Sequence, residues 1–475
     1  MSSRKIETLS NSIVLLGLGV VFICIANQRN VQQNTSTLLH SENAKVPETW
    51  TLYDPDPNHI WNRLYRTFYR RKSRDGHEYG YDQLDPLLWV QTNYLLADPA
   101  SRQALTLLDE FLSTHAEKAI NDPLKRAILQ RDLWVIFDWT TECFECNKQS
   151  TNMAATKLNL QTKLVQVIKR LALSQDQIAA LPNTYKQAIE AGVFAKAYDL
   201  NKRDQSFLPP DLFDPNGPWV ALSIRGGALV APGHASAFSG RSVFSVFIRL
   251  PIGRAATLDY LKALASFRNP WLMDPETRRP IPNPDLPQFP TGTQLALVRR
   301  MVLIDANGEF RPTNIVEDAQ IRVHRTIPSA IPKGLNLDRN EARDALDVFE
   351  FKLSRTKLFA HEDGGLRSLT KTDTEFPLFR SHGIDLFEEN SGSFPLNQML
   401  RVSLAFCANC HFRPGVHSII SRERLESVEH PENSDLLPSW DSNYEADGTK
   451  WWKGKQFSWG LLQGLWNSPL ATPEE

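Results

Sequence analysis

The sequence predicts an α+β protein in which a helical bundle region, a mainly antiparallel β region and a mixed C-terminal segment follow one another along the chain. Two observations carry this. Apolar residues recur with a helical period over residues 59–206, and near Pro209 the period changes to the alternation of half-buried strands. A terminal apolar run at residues 1–26, a polar linker at 27–58 and a C-terminal region at 356–475 complete the expected organisation around a β-rich region at 207–355.

The linker carries the turn-forming Asp54-Pro55-Asp56-Pro57-Asn58. In the helical region Asp98-Pro99 reads as a cap followed by proline at the first helical position, ahead of an apolar face of Ala104, Leu105, Leu107, Leu108, Phe111 and Leu112. Leu124 to Trp139 and Leu158 to Leu173 read as amphipathic helices, and Ser174-Gln175-Asp176-Gln177 as a capping box before Ile178. Several such helices are expected to pack as a bundle.

Beyond Pro209, Trp219 to Ile224 and Val243 to Leu250 alternate as strands. Arg225-Gly226-Gly227 lacks the order of a phosphate loop, and His234, Ser236, Ser239 and Ser242 lack a nucleophile-elbow frame, so these are read as turn residues. Thr257 to Phe267 is a short helix. Seven prolines between 269 and 292 then exclude helix and central strand, leaving a stiff strap across a surface. Leu295 to Ile304 and Asn314 to Arg325 form a hairpin around Asp305-Ala306-Asn307-Gly308, and Phe349 to Leu353 is a further strand. In the last third Asn397 to Ala408 is read as a helix, Arg413-Pro414-Gly415 as a turn, and Trp459 to Trp466 as a terminal amphipathic segment docking back. Trp440, Trp451, Trp452, Trp459 and Trp466 are assigned to core packing.

Bulk composition narrows the function classes. At 475 residues with 41% hydrophobic content the chain can bury an ordinary core or two, and a formal net charge of -1 gives no general attraction to nucleic acid or anionic lipid. The amino terminus points to export. Arg4 and Lys5 precede an apolar run from Ile13 to Ala26, which is short for a membrane span of about 20 residues and fits the core of a secretory signal. Cleavage after Ala26 or retention as a membrane tether both place the rest of the chain outside the cytoplasm, in the periplasm or an equivalent compartment.

The cysteines carry the chemistry. Apart from Cys24, all of them fall into two CxxC pairs, Cys143 with Cys146 and Cys407 with Cys410, and only the second is followed by a histidine, His411. Two thiols at this spacing reach both vinyl groups of one porphyrin while the adjacent imidazole reaches its iron. Chance would produce such a pentapeptide in roughly one chain per thousand of this composition, so accident is a poor account of it. Two other chemistries stay open: the pairs could be halves of a zinc tetrathiolate, or each could close a small disulfide loop. A disulfide is the preferred reading for Cys143 and Cys146, because Asn147 stands where a histidine would be.

Over the five residues Cys407-Ala408-Asn409-Cys410-His411 the chain resembles c-type cytochromes, and as a whole it resembles large exported bacterial proteins with a single CxxCH near the carboxyl end. The resemblance implies covalent haem c, His411 as proximal ligand of the haem iron, an exported redox setting and a redox partner protein. No methionine follows His411, so a sixth ligand would come from Met399 or His417, with His361, His382 and His430 as further candidates, or the sixth position stays open. Electron transfer is the expected function. The competing reading is a non-catalytic extracytoplasmic structural or interaction protein with CxxC disulfides or a zinc site.

Overall fold

The computed structural model describes residues 51–72, 78–79, 94–96, 98–141, 151–224, 229–267, 269, 271–273, 275–276, 278, 280–327, 345–375, 401–402, 415–418, 436–438 and 444–468. The apolar run Ile13 to Ala26 and the Arg225-Gly226-Gly227 turn lie outside them, as do all five cysteines.

The chain enters through two successive Asx turns, in which Asp54 accepts from the Asp56 amide and Asp56 from the Asn58 amide. Among the described residues six helices follow: α1 (Ile60–Tyr69), α2 (Ala100–Ser113), α3 (Pro123–Thr141), α4 (Thr151–Leu171), α5 (Gln175–Ala179) and α6 (Thr184–Ala191). Their starts are chemically specified. Asp122 Oδ1 accepts from the Leu124 amide at 2.8 Å, with Pro123 opening α3. Ser174 and Gln177 exchange both bonds of the expected capping box. At α2 the expectation is off by one position: Pro99 is itself the cap residue, and the Asp98 carboxylate binds the side chains of Ser101 and Arg102 instead of backbone amides.

Helix α3 also departs from expectation. It reads as amphipathic, yet every residue from Ala127 to Thr140 is buried, including Gln130, Arg131, Asp132 and Asp138. A helix between a bundle and a sheet has no solvent face, so its polar side chains must find partners inside the protein. Gln130 does so with backbone, donating to the Ile304 carbonyl at 2.8 Å and accepting from the Ile304 amide at 3.2 Å.

The partner surface is a seven-stranded antiparallel sheet of β1 (Val220–Ile224), β2 (Ser242–Arg249), β3 (Gln294–Ile304), β4 (Phe310–His324), β5 (Leu346–Leu353), β6 (Leu366–Ser368) and β7 (Leu436–Pro438). Their spatial order is β6-β5-β4-β3-β2-β1-β7. Strands β3 and β4 form the predicted hairpin. Asp305 closes its turn, accepting from the Asn307 and Glu309 amides at 2.9 and 3.0 Å, and Gly308 adopts φ 82°. A register shift near Arg299 and Arg300 bends the hairpin. Strand β7 brings a piece of the last third beside β1.

Alternation along the strands gives the sheet two unlike faces. Val243, Phe247, Ala296, Val298, Ala319, Ile321, Val323, Phe349 and Phe351 point to the helices and join one core that runs from Tyr53 to Trp466. On the opposite face Val220, Leu222, Ile248 and Leu295 pack under α8 (Arg254–Ser266), where Leu261 and Leu264 cover them. The short helix α7 (Pro232–Ala237) lies on the same face, with Ala235 against Phe244. The proline strap is anchored there by Leu286 and Phe289, and part of it pairs with itself, Trp271–Met273 against Pro280–Pro282.

Two terminal helices, α10 (Tyr444–Gly454) and α11 (Phe457–Asn467), follow α9 (Arg355–Phe359) and close the helical side. Trp466 is buried and Trp459 packs 5.9 Å from Trp134, whereas Trp451 is exposed and Trp440 lies outside the described residues. Among the described residues no helix is long and apolar enough to cross a membrane.

Candidate functional site

The second face of the sheet has a polar half. Cross-strand pairing puts Arg299 beside Asp318, Gln320 beside Glu350, and Arg322 and His324 two positions apart on the same side of β4. All but Asp318 are buried. Arg299 sits at the hairpin bend, its guanidinium carbon 4.1 Å from the Phe238 ring centre and its Nε 3.6 Å from Glu317.

A 3-10 turn, Gly415–Ser418, is seated on this half four residues after His411. Val416 is buried in the second-face core, and its amide donates to Gln288 Oε1 at 2.7 Å. Gly415 has φ 58°, a left-handed conformation that favours glycine, and a Cβ there would require the Gln288 amide to shift. The Ser418 carbonyl lies 3.5 Å from an Arg322 guanidinium nitrogen, and its hydroxyl lies 3.4 Å from His324 Nε2. The backbone of His417 belongs to this turn.

Two imidazoles on this face are held neutral. Burial lowers the His324 pKa to about 3, assisted by Arg322, and lowers that of His234 to about 4, assisted by Arg322 and Arg299. Nδ1 of His324 has no hydrogen-bond partner among the described residues, while Phe289 meets the ring edge-on at 4.8 Å. A neutral imidazole with an unengaged nitrogen is the form that ligates metals.

The helical side carries a second set of buried charges. Asp138 Oδ2 lies 2.7 Å from an Arg241 nitrogen and 2.6 Å from Lys453 Nζ, and Lys453 also donates to the Ser239 carbonyl and Gln456. Arg131 meets Glu317 at 3.2 Å, and the Ser242 hydroxyl donates to Glu317 at 2.5 Å. Arg355 meets Asp132 at 2.6 Å, close to the Tyr53 hydroxyl and the rings of Tyr65 and Tyr69. These groups are sealed and mutually compensated, which makes them structural charges. Ser239 lies in a turn as read, whereas Ser242 opens strand β2, and both belong to the core network.

Of the sequence-predicted site, only His417 and His361 fall on described backbone. His361 is exposed beyond α9. Met399, Cys407, Cys410 and His411, the pair Cys143 and Cys146, and His382 and His430 lie outside the described residues. Arg401–Val402, within the stretch read as a helix, forms a short strand paired with Thr374–Glu375. Sequence reasoning missed His324, which alternation along β4 places on the face opposite the main core. Among the described residues no group of three or more His, Cys, Asp or Glu side chains is arranged to hold a metal ion. The chain matches no family model, no curated protein and no solved structure.

Proposed function

We propose that the chain is an exported c-type haem protein that carries electrons, with Cys407 and Cys410 as thioether anchors and His411 as the proximal ligand. The observation that carries this is the CxxCH spacing itself, joined to an apolar N-terminal segment that fits export. Bound haem supplies a one-electron iron couple.

The polar half of the sheet suits such a group. Covalent length tethers His411 to within about 14 Å of Gly415. Arg322 contacts that turn at the Ser418 carbonyl. The burial of this face restricts water. His417, Met399 and the neutral His324 are the groups from which a sixth ligand would come. A redox protein in the same compartment is the partner this function requires.

The test is a haem stain on a denaturing gel, with a pyridine haemochrome spectrum, of protein exported from a host with cytochrome c assembly. A coloured band that disappears in Cys407→Ala is expected. A colourless band from correctly exported protein overturns the proposal and moves the CxxC pairs to disulfide or zinc chemistry in a structural or interaction protein.

A further inference from the structure

Helix α11 has the composition of a buried helix, yet one of its faces is uncovered among the described residues. None of its eleven residues, Phe457 to Asn467, is charged. Ser458, Leu462 and Trp466 recur at helical spacing and are buried, while Phe457, Gly460, Leu461 and Gly464 form a second stripe on the other side. There Phe457 is 75% exposed, Leu461 is half-buried, and a Cβ added at Gly460 or Gly464 would meet nothing within 4 Å. A surface helix puts charged or polar side chains on its outer face, and one that is apolar all round is enclosed. A single copy of the chain gives α11 neither. Its start is open too, with no side-chain cap and no acidic residue in the first turn. Exposed Lys455 stands just before it, Nζ 3.3 Å from the centre of the exposed Trp451 ring.

We infer that this face is where two copies of the chain meet, their α11 helices packed antiparallel about a two-fold axis. The stripe is its own complement. An axis between Gly460 and Leu461 sets Phe457 over the partner's Gly464 and Leu461 over the partner's Gly460, a large side chain into a hollow at each step, and symmetry repeats both contacts. Antiparallel packing also brings the uncapped start and Lys455 to the negative end of the other helix, where within each copy Lys169 of α4 answers one carbonyl, that of Trp466, at 2.7 Å. One helix face per copy covers less than the about 800 Å2 per partner of a standard interface, so the dimer is weak and reversible. The inference does not depend on haem.

The experiment is sedimentation equilibrium of the full chain from about 5 to about 200 µM, the range of a weak interface. A reversible monomer–dimer equilibrium is expected. Phe457→Ala and Gly464→Phe should each weaken it at least tenfold, and the double variant, which again sets a large side chain opposite a small one, should recover most of the loss. Gly460→Leu should abolish the dimer while the thermal midpoint of the monomer stays level or rises, because leucine replaces glycine in open space. A monomer across the whole range overturns the inference, as does a dimer unchanged by folded Gly460→Leu. Additive losses in the double variant overturn the antiparallel pairing. Flotation of a monomeric protein with phosphatidylcholine–phosphatidylglycerol vesicles, lost in Phe457→Glu, assigns the face to lipid and overturns the second copy as its occupant.

Discussion

Lys453 Nζ lies 2.6 Å from Asp138 Oδ2 with neither side chain more than 1% exposed, although 315 positions separate them in the chain. The carboxylate also holds Arg241, so one anion answers two buried cations from different parts of the sequence. Asp138→Ala removes the counter-charge shared by both and should cost about 3–5 kcal/mol. Lys453→Met leaves the Asp138 pair with Arg241 in place and should cost less than half as much. Urea unfolding of the two variants checks the order, and equal losses would contradict this account of the network.

Gly308 is fixed by its own φ of 82° and by Trp466, whose Nε1 would stand 3.0 Å from an added Cβ. Gln463 also donates to the Gly308 carbonyl at 2.8 Å. Gly308→Ala should therefore destabilise by about 1–3 kcal/mol, from the left-handed backbone together with displacement of α11. The expected signature is a lower unfolding midpoint with a changed tryptophan emission; a midpoint within error of the parent would refute it.

Burial raises the Glu445 carboxyl from 4.5 to about 7, opposed only by the Val230 amide bond. The folded state thus holds a proton that the unfolded chain releases, and the stability this confers is present at low pH and lost as pH rises through 7. His234 and His324 act oppositely, and their effect, shared by parent and variant, fades as pH rises through 6.5. Between pH 6.5 and 8 the protein should lose about 1 kcal/mol that Glu445→Gln does not lose. Denaturant titrations at the two pH values in parent and variant measure the difference, and parallel pH dependence would rule Glu445 out as its source.

If the proposed haem is six-coordinate, replacing its distal ligand should shift the ferric spectrum from low to high spin. Met399→Leu, His417→Ala and His324→Ala are the three variants to compare, and one of them is expected to produce the change while retaining covalent haem. Low-spin spectra in all three would exclude these side chains.

Elements specified by local chemistry were legible: the capping box at Ser174 and Gln177, the Asp305 to Gly308 turn, and the alternation of β1 to β5. What escaped was set by distant partners. Helix α3 carries charges that mark a solvent face in an isolated helix, and its burial depends on Arg241, Glu317, Arg355 and Lys453, which arrive much later in the chain. Strand β7 is three residues from the last third that pair with Ile224, Ser223 and Leu222, and nothing in Leu436–Pro438 alone announces this. Of the candidate site, Gly415 was legible as a turn residue, with Arg413 and Pro414 outside the described residues, whereas its seat on His324 depended on the face opposite the main core.

Among the described residues the sheet is bounded by its two shortest strands. Leu366–Ser368 and Leu436–Pro438 have three residues each and flank interior strands of up to fifteen, and proline ends one of them. A long free border on such a sheet would template pairing between neighbouring chains as they fold. Short margins, one stopped by a residue without an amide proton, leave little for a second copy to add to, so the design resists aggregation at the moment of assembly.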